Sequence, residues 1–413
     1  MTPAKLILLA AAARGADATV QGTGTGTDAD PCVTTNCAST TECTYTATVD
    51  PFAGPTGYFK FAECGDVANP VIVMKRGVTY TFDQSDNSNW YHPLGFAYFV
   101  DGAHNEVDEL EPGITQTTGD ACAADNTCQA PMYYKNGVFA GAAGYDNTLA
   151  TPTGGEDFGL DAYEPEFFHR KSDWGATTYS VKLTLTDTTY ATDIFYFCHI
   201  HAGMSGYIKI ADASGTVVST TGTGDALIAA DYHKTPSTYD LSCGTYGLDD
   251  YKVGGAKECA SEDFFCGGVG SLASGSFGDC LHAMDCAMDY NMRTTLDATS
   301  DATSFMHQMI PHHNNAINMA KLLMKKDTTL AADDAITDIL WSIINNQGMQ
   351  VQFMEGWLEG ESKPASAVCT SRRKLTTPNL RVAAEVEAAT PRKLTVQGSG
   401  SGTDADPCVT TNC

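Results

Sequence analysis

Basic residues are scarce in this chain. Its 413 residues carry 24 Lys and Arg against 50 Asp and Glu, a formal net charge of −26 at pH 7. With no basic stripe to neutralise phosphates, a nucleic-acid partner is excluded. An acidic surface does concentrate cations, although solubility accounts for most of these charges. Long apolar runs are lacking too. The one in Met1–Ala18 falls well short of the ~20 residues a spanning helix needs, and no other segment is longer, so no membrane span is expected. That N-terminal stretch has an early Lys, a short apolar run and small residues at 16 and 18, which reads as a secretory signal peptide (1–18). A secreted protein, or one delivered to an organelle lumen, follows.

Cysteine is plentiful, with fifteen in the chain and several as close neighbours: Cys32/Cys37, Cys122/Cys128, Cys259/Cys266 and Cys280/Cys286. Such usage suits an oxidising compartment. Connectivity is not readable from sequence, but setting Cys198 aside leaves an even number able to pair. The chain is too long for one ordinary core. Residues 19–37, TVQGTGTGTDADPCVTTNC, return almost unchanged as 395–413, TVQGSGSGTDADPCVTTNC. A Gly/Thr run of this kind reads as a flexible lead-in (19–44), and its return as the truncated start of a repeat with no fold of its own. Residues 45–211 are rich in Thr, Tyr, Val and Phe with glycine turns, an all-β pattern; Val181, Leu183 and Leu185 share one strand face. Within them 101–173 reads as a long insertion, stapled by Cys122 and Cys128, with His104 and His169 on its surface. Residues 212–275 read as a disulfide-rich connector, 276–362 as helical and 363–394 as a linker.

The chemistry concentrates in Phe195–Met204, FYFCHIHAGM. Asp193–Phe197 is β-prone and aromatic, and Ser205–Ile210 continues as a second strand after a glycine turn. Cys198, His201 and Met204 therefore sit on a tight loop between two strands, spaced C-x-x-H-x-x-M. A thiolate, two imidazoles and a weak thioether are the ligand set of a mononuclear electron-transfer copper site. The loop supplies three, and His92 in Tyr91–Pro93 offers the second imidazole. His199 alternates in direction with Cys198 and reads as a neighbour that supports the ligands or lies at the surface.

These residues resemble the C-terminal copper loop of the cupredoxins, the plastocyanin and amicyanin group, with the short amicyanin-like spacing. Val71–Phe82 followed by Asn89–Phe96 is similar to the family's strands leading to the first His ligand. The resemblance spans roughly residues 45–211 and implies a Greek-key sandwich with one type 1 copper held by His92, Cys198, His201 and Met204. About a hundred residues separate His92 from Cys198, more than twice the family's usual gap.

A second constellation follows on three helix-like pieces. Met284, Met288 and Met292 recur every four residues near His282. Met306, His307, Met309, His312, His313 and Met319 crowd within fourteen residues, with Pro311 expected to kink their helix. Met309/His313 and His312/Met319 share helix faces, and thioethers with imidazoles favour copper, especially Cu(I). In the third piece Ile336, Ile339, Leu340, Ile343 and Ile344 read as the apolar face, capped by Asp333 or Asp334. FMHQMIPHHNNAINMAKL resembles the M-I-P-H-H signature of a secreted, ferritin-like four-helix family, domain of unknown function 305. Gln347, Met354, Trp357 and Leu358 are similar to its ending, and Gln350 replaces its acidic residue. That resemblance covers about 280–359. It implies copper binding and copper tolerance through His312 and His313, then Met309, Met319 and Met354, with His307, His282 and Met288 close by.

The expected architecture is thus multidomain: an all-β cupredoxin-like Greek-key sandwich, then an α-helical ferritin-like bundle. The expected function is copper electron transfer through an exposed His201 edge to a redox partner protein, with further copper sequestered by the helices. Two alternatives stand beside it. One is an oxidase resembling multicopper oxidases, or one acting on Cu(I) or Fe(II). The multicopper cluster takes eight histidines, whereas residues 19–240 hold six and a single H-x-H. The other is a structural repeat protein without a working copper site.

Overall fold

Strict alternation builds the first long strand. In Glu42–Asp50, Cys43, Tyr45, Ala47 and Val49 turn inward and their neighbours outward, as a half-buried strand requires. The structure, a computed structural model, describes residues 21–52, 54–98, 100–102, 110, 130–142, 163–186, 192–221, 236–265, 272–332, 334–363, 398–399 and 409–410. The proposed signal peptide, His104, Cys122, Cys128, Cys266, Asp333 and most of the linker lie outside the described residues.

The strands are β1 (Gly22–Thr23), β2 (Val33–Thr34), β3 (Cys37–Ser39), β4 (Glu42–Asp50), β5 (Tyr58–Phe61), β6 (Ile72–Lys75), β7 (Thr79–Asp83), β8 (Leu94–Ala97), β9 (Met132–Lys135), β10 (Val138–Ala142), β11 (Tyr179–Thr184), β12 (Ile194–Cys198) and β13 (Ser205–Ala211). One sheet runs β10-β9-β11-β7-β4-β3, with β5 added on β4; the other runs β6-β13-β12-β8. Both are mixed, because β4 lies parallel to β7 and β13 parallel to β6. Their inner faces share one core. Phe82 of the first sheet packs on Phe96 of the second with ring centroids 4.8 Å apart, and Phe61 meets Tyr196 edge-on at 5.1 Å. Val181, Leu183 and Leu185 are all fully buried in it.

Residues 21–44 are folded rather than a flexible lead-in. Cys32 is fully buried and bonded to Cys64, and Cys37 is bonded to Cys43. The Gly/Thr composition suggested slack, but the two disulfides and the β3–β4 pairing fix the segment to the sheet. In the connector, Cys243 and Cys259 reach forward to Cys280 and Cys286. Among the described residues, Cys32 and Cys37, and likewise Cys280 and Cys286, are not bonded to each other but to partners elsewhere in the chain.

The helices are α1 (Lys171–Trp174), α2 (Thr238–Cys243), α3 (Phe277–Asn291), α4 (Asp301–Lys326) and α5 (Asp334–Gly360). Ser276 and Ser300 cap α3 and α4 by accepting from the third residue's N–H, satisfying an orphan donor. The helix α4 runs unbroken through Pro311. Among the described residues three helices exceed ten residues. On α5, Leu340 and Ile344 are buried against α4, but Ile336 and Ile339 are exposed. The expected apolar face is therefore rotated. Its buried side is Leu340, Ile344, Val351, Met354 and Leu358, because α5 packs on two neighbours at once.

Met1–Val368 forms one compact unit, sandwich and long helices together, and Cys369–Cys413 a second. In the second, β14 (Gly398–Ser399) pairs with β15 (Val409–Thr410). The register is that of β1 and β2 in the first copy of the repeat, so this segment does have local structure.

Candidate metal centre

The loop from β12 to β13 closes on itself. Cys198 N–H donates to the Met204 carbonyl at 3.1 Å, and Gly203, at φ 81°, makes the turn that a side chain would strain. His201 N–H then points at Cys198 Sγ, 3.4 Å away. His92 arrives from just before β8, where Leu94 pairs with Cys198 across the sheet. Gln84 straps that approach by donating from Nε2 to the His92 carbonyl at 2.8 Å and accepting from Leu94 N–H at 3.0 Å.

The result is a buried cluster. His92 Nδ1 lies 3.6 Å and His201 Nδ1 3.8 Å from Cys198 Sγ. The three ligand-type atoms all fall within 4.8 Å of one another. The two rings sit 4.7 Å apart, tilted by 37°. Among the described residues Cys198 is the cysteine outside any disulfide. Met204 is fully buried in the same core.

Burial sets the electrostatics. It pushes the Cys198 thiol up to about 12, against the pull of the His201 and Ile200 backbone N–H groups. It also holds His92 well below the usual imidazole range, helped by His201 and opposed by the Asn345 side chain. A dry thiol between two buried imidazoles suits a soft cation, which would take the thiolate and spare it a bare buried charge.

His201 has no exposed edge: its relative exposure is 1%. The face expected to meet a redox partner is covered by α5. His201 Nε2 lies 3.1 Å from the Asn345 carbonyl, and Gly348, one turn along the same helix, lies beside the ring edge. Gln352 exchanges two hydrogen bonds with Ala202, each 3.0 Å. Lys321 of α4 is fully buried and donates to the Gly54 and Pro55 carbonyls at 2.6 and 2.9 Å. Burial lowers its amine to about 7. Sequence reasoning missed Asn345, Gln352 and Lys321. The available signal was polar residues on the otherwise apolar sides of long helices.

His199 turns from the cluster to an ion pair with Glu164. His169 is exposed and pairs with Glu166.

The helical His and Met residues are not gathered. His282 is buried beside the Ala260 carbonyl, and Met309 and Met354 belong to the α4–α5 core. His313 Nδ1 bonds the Met309 carbonyl at 2.9 Å, while His312 and Met319 lie on the surface. Only Met288 and His307 line a common space, a cavity of about 780 Å³ between α3, α4 and α5. There both ring nitrogens of His307 are buried without a partner.

The fold and centre thus define a class: a two-sheet β domain with a buried His–Cys–His cluster, followed by a helical region. Among known proteins, residues 302–407 match the family model Domain of unknown function (DUF305), which reaches past α5. A solved structure of rusticyanin from Thiobacillus ferrooxidans is similar over 46% of this chain and 87% of its own, at 14% identity and a TM-score of 0.21. No curated protein matches.

Proposed function

We propose that this is a copper-binding protein whose β domain holds one type 1 copper for electron transfer. The observation that carries the reading is the convergence of His92 Nδ1, Cys198 Sγ and His201 Nδ1 within 4.8 Å, in a site closed to water. His92, Cys198 and His201 would hold the ion, with Met204 as the weak fourth ligand, and copper would supply a one-electron redox couple. The chain's own contribution is a fixed frame: the Gly203 turn, the Gln84 strap and the α5 cover hold the donors still and exclude water, so little reorganises when charge changes. With all ligands from protein, no open position remains for substrate. A cupredoxin-like sandwich and export to an oxidising compartment belong to the same reading, supported by the four disulfides of the described residues and by the lack of any described helix long and apolar enough to cross a membrane.

Copper handling by the helices is the second part. It is supported by the cavity that holds Met288 and the unpartnered His307 ring. The test is copper loading of the full chain with metal analysis and absorption. An intense visible thiolate-to-copper band, absent in Cys198→Ser, is expected. A colourless copper-loaded protein overturns the reading.

A further inference from the structure

We infer that Asn345 of α5 is a positioning residue for both imidazoles of the centre, supplying an acceptor to the outer nitrogen of each and so holding both in the tautomer that leaves Nδ1 bare. The inference rests on the copper-site reading for its purpose, but its geometry stands in the metal-free chain.

A neutral imidazole has one N–H and one lone pair. Both rings aim Nδ1 at Cys198 Sγ, so a metal shared with that sulfur needs the lone pairs there and the protons on Nε2. The partner of the second nitrogen decides which tautomer forms. A buried N–H also requires an acceptor, because leaving it unpaired is costly.

For His201 the acceptor is the Asn345 main-chain carbonyl, 3.1 Å from Nε2. A carbonyl cannot donate, so this contact requires the proton on Nε2. For His92 the case is made by two orphans. His92 Nε2 and Asn345 Oδ1 are both buried and lack a hydrogen bond of ordinary geometry. Geometry brings the two near each other: the Asn345 main-chain carbonyl touches His201 Nε2, and the His201 ring centre is 4.7 Å from that of His92. The orientation of the Asn345 side chain is pinned, because Asn345 Nδ2 donates to the Trp90 carbonyl at 3.1 Å. That contact leaves Oδ1 as the free end, and Trp90 lies two residues before His92 in the same loop. A hydrogen bond from His92 Nε2 to Asn345 Oδ1 would satisfy both orphans at once. Gln352, one turn further than Gly348, keeps α5 seated by its paired bonds to Ala202.

The helical region therefore completes the centre. Separately made, the β domain would present two imidazoles with nothing to fix their protons. Asn345 is 253 residues from His92 and 144 from His201 in sequence, which is why no local motif announces it.

The experiment is ring-nitrogen NMR of the metal-free full chain labelled with ¹⁵N-histidine. Both His92 and His201 are expected in the Nε2–H form. In Asn345→Leu, His92 should lose that preference while His201, held by the main chain, keeps it. Asn345→Asp, which retains an acceptor beside the ring, should restore it. Copper affinity should fall on the order of 10–100-fold in Asn345→Leu, with much of it recovered in Asn345→Asp. A wild-type His92 or His201 protonated on Nδ1 overturns the inference even if the variants do not fold. So does a folded Asn345→Leu with unchanged tautomers and unchanged copper affinity. A wild-type chain with the expected tautomers that binds no copper leaves the positioning intact and overturns the copper reading instead.

Discussion

Two regions of this chain are rich in metal-type side chains, and the fold treats them in opposite ways. In the β domain, three residues from two sequence-distant places converge into one buried cluster. In the helices, eight His and Met residues at favourable helical spacings scatter over a core seam, a cavity and the surface. Both patterns look like sites in a string of letters. A strand end fixes direction and depth together, because alternation buries every second residue and the partner strand brings its own neighbour opposite. A helix face fixes only direction, and what that face meets depends on which helix packs there. Met309 and Met354 meet each other's helices and become core, whereas His312 and Met319 meet solvent.

The largest effect that tests this contrast is Cys198→Ser, which should remove the whole visible band, while the double change His312→Ala and Met319→Ala leaves it unaltered. A band that survives the first change, or vanishes with the second, breaks the comparison. Next, Met354→Ala should destabilise the fold by about 2–5 kcal/mol through the cavity it leaves. Met354→Leu should cost less than about 1.5 kcal/mol and leave total bound copper unchanged, as measured by denaturation and metal analysis. A drop in copper for the Leu variant would make Met354 a ligand rather than packing.

Lys321 sharpens the comparison at the seam between the regions. Its amine is lowered from 10.5 to about 7 in the folded chain. Between those values the unfolded chain binds more protons, so stability should rise with pH there, by up to about 1.4 kcal/mol per pH unit from this group. Below about 7 the amine is charged in both states and adds no slope. Lys321→Met should flatten unfolding free energy between pH 7 and 10, and an unchanged slope would show that the amine is not held neutral by the seam. Losing its two bonds to Ala202, Gln352→Ala should cost about 1–3 kcal/mol and speed hydrogen exchange at the Ala202 amide. His312→Ala alone belongs at the small end, within about 0.5 kcal/mol, by thermal melting.

Much of the centre was legible because its parts are close in sequence or flanked by strong strand patterns. Cys198, His201 and Met204 lie on one loop, and His92 precedes a strand whose alternation is plain. What was misread follows from the helices. Of the five residues read as the apolar face of α5, Leu340 and Ile344 are buried but Ile336 and Ile339 are exposed, because a helix wedged between α4 and the sandwich buries an arc that hydrophobicity alone does not centre. The exposed edge of His201 was expected for want of any sign that α5 covers it. Disulfide partners were likewise unreadable: Cys259 passes its neighbour and pairs with Cys286.

By itself the sequence determined the two-part plan, β then α, and the chemistry of the Cys198 loop, since periodicity and short spacing are local and each strand carries its own record of which side is buried. Only the tertiary structure decided that the helices close over that loop and that Asn345 and Gln352 belong to it. Those outcomes depend on contacts between segments more than a hundred residues apart, and surface matching between already formed elements leaves no period in the chain.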